Sequence, residues 1–418
     1  MQPFRHLLAD TWWYGLTQRF DEAVLRRAAV QRAAEGFNAV QVVLGIPPEV
    51  GPLHPAATSP VGPAWAPDGT PNEDYLAWAR RRIQHLNAAG LHVIVYGAWG
   101  HHIDWVGVGA LTRWWLRVLE TVDDLDVSYC LTGESNLWAG GGGRALWPDR
   151  STTDVQIGAP SWRRLLSPWR AALRPLTRHR LAVQRRVAAW SAVLQAVAPR
   201  TQRAWLVHVR PGETGYTVTQ HPEWLACNTV QTGHSRRAQE ACWRVPLRLA
   251  QHGEPCLNLE PWYEGIHDDF YGDDQLYAFW AGRLAGTVGH VYGAHGLWNG
   301  GDGRFLSHWG TQTLAQALAL ETPRLLGASQ RFLERHEVPA GEVMADVHRG
   351  RLRALGRVSK ERALWFIPRV EHTAWRPPGC LFDPRQGAVV AQWPSAGPVV
   401  VGTSWVGRRR LHEAVRFE

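Results

Sequence analysis

Two glutamates stand where short apolar runs end. Leu257-Asn258-Leu259-Glu260 is followed by Pro261-Trp262-Tyr263-Glu264, and Leu131-Thr132-Gly133 by Glu134. A pair of carboxyl groups flanking an acetal can cleave a sugar. One protonates the leaving oxygen while the other attacks the anomeric carbon or activates water. Aromatic rings beside them suit the apolar C–H faces of a sugar ring. Taken singly, Glu260 could cap the following turn or pair with one of the many arginines, and Glu134 could be a polar helix-start residue. Two carboxylates at two strand ends, both among tryptophans, favour the paired reading. Retaining cleavage needs about 5–5.5 Å between the carboxyls and inverting cleavage a wider gap. The sequence does not fix that distance, and the expectation is the retaining course.

Further candidates for holding sugar hydroxyls lie at other strand ends: Asp10, Trp13, Trp99, His101, Gln231, His234, Tyr292 and His295, with Trp262, Tyr263 and Trp298 as aromatic surfaces. Each of these taken alone could equally have a structural role. Tyr292 or His295 could also orient Glu260 by hydrogen bonding. Glu254 and Glu264 flank the central run, and Glu254, preceding it, belongs at the opposite end of the strand. His101 and His102 are adjacent and would point apart on a strand, and neither an HxxxH nor an HExxH spacing occurs, so no metal is expected. The glycines at 140–143 lack the Lys-Ser/Thr or strand-turn-helix context of a phosphate loop, and no Gly-x-Ser-x-Gly elbow is present. No cofactor is expected.

The elements that must position these residues alternate as in a (β/α)8 barrel, where strand C-termini line the site. Strands are expected at 6–9, 39–44, 91–96, 127–131, 204–209, 229–231, 256–259 and 290–292. Helices are expected at 21–35, 72–89, 177–197, 237–251 and 274–285, with a closing helix at 310–334. A Pro/Gly-rich loop running to Pro71 is too long for a plain connector and reads as a rim of the site. A Gly-, Pro- and Trp-rich insertion at 138–168 reads as a loop over the mouth. After Glu337 short period-two runs at 351–355, 363–367, 388–393 and 398–401 alternate with turns, the pattern of a small β-sandwich. The expected division is a barrel over 1–335 and a β-sandwich domain over 336–418.

Composition narrows the classes. The 418 residues, 45% hydrophobic and 20% charged, suit a barrel plus a smaller domain and exclude disorder. Apolar runs are a few residues long, far short of the roughly 20 needed to span a membrane, and no apolar leader precedes the first strand. The five cysteines are odd in number, widely spaced and without a CxxC pair, which reads as free thiols in a reducing cytoplasm. The net charge of +8 is almost all arginine, Lys360 being the single lysine, and it is spread over several helices instead of one tract, so nucleic acid is not the expected partner. The 24 tryptophans crowd near loop starts, at Trp12, Trp13, Trp99, Trp105, Trp138, Trp262 and Trp298 among others.

From Leu7 to Leu325 the chain resembles the apiosidase-like glycoside hydrolases. The resemblance rests on Leu8-Ala9-Asp10-Thr11-Trp12-Trp13, Gly36-Phe37-Asn38-Ala39-Val40-Gln41, Leu131-Thr132-Gly133-Glu134, Gln231-Thr232-Gly233-His234, Leu257–Gly265 and Gly289–Trp298, in family order and spacing. It implies a (β/α)8 barrel with a C-terminal β-sandwich. It also implies action on terminal furanose-type pentoses such as apiose, with Glu134 in the acid/base position and Glu260 in the nucleophile position. The chain departs from the family pattern at Glu134, where Asp after Gly-Gly is usual, at Leu259 in place of a glycine, and at Arg210-Pro211 in place of His-Pro, with His208 a possible substitute. The resemblance carries the carboxyl chemistry and not the identity of the sugar. The other reading left open is a non-catalytic carbohydrate-binding protein on the same fold.

Overall fold

Eight short parallel strands carry the first part of the chain: β1 (Leu8–Trp12), β2 (Ala39–Val43), β3 (His92–Tyr96), β4 (Val127–Cys130), β5 (Trp205–Leu206), β6 (Asn228–Gln231), β7 (Cys256–Glu260) and β8 (His290–Val291). The computed structural model describes residues 4, 6–52, 54–66, 68–136 and 179–404. The insertion at 138–168, with Trp138 and the glycines at 140–143, lies outside the described residues. Almost every strand residue is buried, as parallel strands covered on both faces must be. One sheet runs β5-β4-β3-β2-β1-β8, and β6 pairs with β7. The gaps between them are bridged by Ala226 N–H donating to Trp205 O and by Val288 N–H donating to Cys256 O, both at 2.9 Å, which closes the ring.

The helices are α1 (Glu22–Glu35), α2 (Glu73–Ala88), α3 (Ile103–Val122), α4 (His179–Val197), α5 (Ala241–Gln251), α6 (Asp273–Ala285), α7 (Leu314–Leu318) and α8 (Thr322–His336). Their ends follow local chemistry. The Asp21 carboxylate caps α1 by accepting from Val24 N–H at 2.7 Å, and Gly36 ends that helix at φ 105°. Asn72 caps α2 in the same way, accepting from Tyr75 N–H.

Three expectations about this half need correcting. No helix was read at 103–122, where α3 runs with a kink at Gly107, φ 79°. The single closing helix is two, since Thr313 and Gln316 form a capping box that starts α7, and Pro323 opens α8 afresh. The first strand runs to Trp12 instead of ending at Ala9, which puts Asp10 in mid-strand and not at the barrel mouth.

The last six strands are β9 (Glu342–His348), β10 (Arg351–Val358), β11 (Arg362–Ile367), β12 (Cys380–Asp383), β13 (Ala388–Val390) and β14 (Val399–Ser404). They pair antiparallel as one six-stranded sheet in the order β13-β12-β14-β11-β10-β9, consistent with the small C-terminal β-sandwich expected. β9 and β12 were not read from the sequence. Alternate residues of β11 serve two cores. Leu364 and Phe366 face the barrel, whereas Ala363, Trp365 and Ile367 enclose a second core with Val399 and Val401. Phe366 and Phe382 pack on Trp280 of α6 at ring separations of 6.4 and 5.9 Å. Each such buried ring contributes about 2–3 kcal/mol to holding the sheet on the barrel.

Candidate active site

The C-terminal ends of β3 and β4 are fitted to each other by one missing side chain. A Cβ on Gly133 would lie 2.3 Å from the Trp99 ring, so only glycine lets the indole lie across the end of β4. From there Trp99 Nε1–H donates to Glu134 Oε2 at 3.2 Å. Glu134 itself has φ 40°, in the left-handed region that a non-glycine residue enters at a cost of about 1–3 kcal/mol. On the other side of the barrel a register shift after Val230 brings Gln231 opposite Glu260. Such a bulge re-aims the side chains beside it, and the Gln231 amide favours the ionised form of both Glu134 and Glu260. A second glycine, Gly293, leaves room for the Tyr263 ring, which a Cβ would approach within 2.4 Å.

Histidines and aromatics complete the surround of Glu260. His234 Nε2 lies 2.7 Å from Oε1 and carries the proton in that contact, because a carboxylate only accepts. His208 Nε2 is 3.4 Å from Oε2. The Tyr263 hydroxyl accepts from Trp13 Nε1–H at 3.1 Å and feels the charge of Glu260. Trp13 meets Trp99 edge-on at 5.4 Å and Tyr96 at 4.7 Å, so these rings form a continuous aromatic floor between the two carboxyls.

The electrostatics of the two glutamates diverge. Burial raises the Glu134 carboxyl and the charge of Glu260 raises it further, while the Trp99 hydrogen bond and the Gln231 amide offset part of this. Burial would raise Glu260 as well, but the His234 hydrogen bond and the adjacent His208 hold it below the ordinary carboxylate range. Burial pushes His208 down to about 4, so its ring is neutral at neutral pH. The pair therefore offers one protonated and one ionised carboxyl side by side, the division that acid-assisted displacement requires. Trp298 Nε1, His234 Nδ1 and Gln231 Oε1 are buried without hydrogen-bond partners among the described residues. Each unmet group costs about 1–3 kcal/mol, which sugar hydroxyls would recover.

Not every residue expected here is assembled with the pair. Asp10 is a correction: from mid-strand its carboxylate turns to α1 and accepts from Arg32 Nε–H at 2.7 Å, both side chains sealed from solvent. Tyr292 is another, donating to Glu264 Oε2 at 2.6 Å and not orienting Glu260. Glu264 also accepts from Thr322 Oγ1–H at 2.7 Å and from Gly272 N–H, so it ties β7 to α8. Trp262 stacks on Tyr277 with its ring planes 3° apart and packs on Phe270, within the wall and not on the cavity floor. His101 sits against Trp105 and His102 at the start of α3. His295 packs on Trp298, which in turn neighbours Tyr263, and so borders the floor. Glu254 accepts from Asn228 Nδ2–H before β7 begins. One residue near the pair was not foreseen: Glu49, in the long loop after β2, is within electrostatic range of both Glu260 and Glu134. Only the reading of that loop as a rim pointed towards it.

The fold and the carboxyl pair together define a glycoside hydrolase barrel. The model of the family described as "Apiosidase-like, catalytic domain" matches residues 2–338, and the chain belongs to that family and is a glycosidase. No curated protein matches the sequence. Among solved structures, a glycoside hydrolase family 5 protein from Bacteroides vulgatus ATCC 8482 is similar at 14% identity, covering 98% of this chain and 90% of that one with a TM-score of 0.67. A second structure, titled glycoside hydrolase, shares 14% identity over 94% of this chain and 92% of that one, with a TM-score of 0.63. A family 5 subfamily 18 protein from Streptomyces cattleya in complex with GlcNAc gives 13% identity, 81% and 82% coverage and a TM-score of 0.51. Among the described residues no helix is long and apolar enough to cross a membrane.

Proposed function

We propose that the chain removes a terminal sugar, of the furanose-type pentose class such as apiose, from a small oligosaccharide or glycoside by a retaining mechanism. Glu260 is the nucleophile and Glu134 the acid/base. The charge of Glu260 acting on the buried Glu134, at the facing ends of β7 and β4, carries this reading, because two carboxyls feel each other in this way only when they share one site. Close spacing suits covalent attack, the retaining course.

In the first step a Glu260 oxygen attacks the anomeric carbon as the Glu134 proton passes to the glycosidic oxygen and the alcohol departs. In the second, the Glu134 carboxylate takes a proton from water, whose oxygen attacks the same carbon and frees Glu260. Trp13, Trp99, Tyr263 and Trp298 supply the sugar platform, and Gln231, His234 and His295 supply polar contacts. The family supports the pentose class, and five unpaired thiols support a cytoplasmic setting.

The test is hydrolysis of aryl pentosides and hexosides, α and β, furanose and pyranose, with the anomer of the first product followed by NMR. Cleavage of a furanoside with the configuration kept is the expected result. Inverted product removes the covalent step, and binding of sugars with no cleavage of any glycoside moves the assignment to a carbohydrate-binding protein.

A further inference from the structure

The loop after β2 holds a third carboxyl beside the pair. Glu49 follows Pro47 and Pro48, which are buried along with Ile46, Val50 and Gly51, while Glu49 itself keeps some access to solvent. The Tyr14 hydroxyl donates to the Pro48 carbonyl and anchors the segment, and the Tyr14 ring packs on Trp298 at 6.3 Å, which in turn neighbours Tyr263, so the loop is tied to the site. Glu49 has φ 73°, so it shares with Glu134 a left-handed backbone that costs a non-glycine residue about 1–3 kcal/mol. Strain of this kind persists only where the surroundings fix the residue, and the two prolines and the Tyr14 anchor do so here.

The position is also electrostatically unfavourable as it stands. Glu49 interacts with the charges of Glu260 and Glu134, and among the described residues its carboxyl has neither a cation nor a hydrogen-bond donor. A desolvated carboxyl normally acquires such partners or loses its charge. Burial, with the Glu260 charge beside it, pushes Glu49 up to about 7, so near neutral pH it can donate a hydrogen bond as well as accept one. A vicinal pair of sugar hydroxyls offers the complementary set.

We propose that Glu49 is a sugar-binding, specificity-determining carboxyl whose two oxygens hold a pair of ring hydroxyls on the sugar lying between Glu134 and Glu260. The loop after β2 then reads the terminal sugar and closes the site to chains extended at those hydroxyls. The inference rests on the glycosidase reading of the site and names what that site recognises.

The experiment measures kcat/KM for an aryl glycoside that the wild type cleaves and for its monodeoxy analogues, with wild type, Glu49→Gln and Glu49→Ala. Glu49→Ala is expected to lose on the order of 100-fold on the parent and almost nothing further on the analogue lacking a hydroxyl that Glu49 holds. Glu49→Gln keeps the side-chain volume and supplies the same comparison if the alanine variant does not fold. Equal losses on the parent and every analogue, or no loss on any, overturn the proposal. Should the wild type cleave no glycoside, the catalytic reading fails by itself. Calorimetric binding of the free sugars and their deoxy forms then decides, and a Glu49 effect equal across all of them, or no sugar binding at all, overturns the proposal.

Discussion

Two clusters of buried carboxyls lie in the barrel, and they differ in how their needs are met. In one, Asp10 pairs with Arg32 and Glu264 accepts from Tyr292, Thr322 and Gly272 N–H, so each acid is supplied by the protein itself. In the other, Glu134, Glu260 and Glu49 feel one another's charge with few donors and no arginine or lysine partner among the described residues. A satisfied buried acid holds elements together. An under-supplied one keeps capacity for a ligand, and the protein gives up stability to maintain it.

The sharpest way to break this contrast is to neutralise one acid in each cluster. Glu260→Gln is expected to lower kcat by at least about 10⁴-fold, since no other group can form the covalent intermediate. Its melting temperature should stay the same or rise, because a crowded negative charge is removed. Full activity in that variant would end the assignment of the nucleophile. Glu134→Gln should cost about 10²–10⁴-fold with poor leaving groups, the usual contribution of a positioned acid, and much less with p-nitrophenyl glycosides, whose leaving group departs without a proton. A loss independent of the leaving group would mean that Glu134 is not the acid.

The first cluster should behave in the opposite way. Arg32→Met leaves Asp10 buried with backbone Thr11 N–H as a remaining donor and no cation in contact. Breaking a buried pair from one side costs about 3–5 kcal/mol, to be read from the urea midpoint. Per folded molecule, kcat/KM should change little. A stable Arg32→Met protein with poor activity would show that the two clusters are one functional unit.

How much of this was legible in the chain follows the same division. The barrel pattern was readable because parallel strands buried on both faces are mostly apolar runs, as in Val42–Leu44 and Val93–Tyr96, and because Asp21, Gly36 and Asn72 mark helix ends. Glu134 and Glu260 were readable as acids at two strand ends. What escaped depends on geometry without a local signature. Asp10 was misplaced because its strand runs on to Trp12, and its partner Arg32 lies on the covering helix. The pairing of Gln231 with Glu260 is made by a register shift that no residue type announces. Glu49 is an ordinary Pro-Pro-Glu loop residue until folding brings it to the other carboxyls, and α3 was hidden by the kink at Gly107.

The smallest expected effect concerns what keeps Glu260 ionised. Its lowered pKa opposes the burial that would raise it, and the largest opposing contribution is the hydrogen bond from His234. In His234→Ala that bond is gone, so the carboxyl gains affinity for a proton and its pKa rises. Nucleophilic attack needs the ionised form, and activity is lost as pH falls through that pKa. The acid limb of the kcat/KM profile should therefore move to higher pH, whereas the alkaline limb, set by loss of the Glu134 proton, should stay nearly where it was. Above the acid limb the variant should lose about 10-fold, the worth of one hydrogen bond to a charged group. If both limbs move together, His234 acts on the pair as a whole. If neither moves while kcat/KM falls, His234 acts through its contact with the sugar alone, and the separation of Glu260 from Glu134 must then rest on His208 and Gln231.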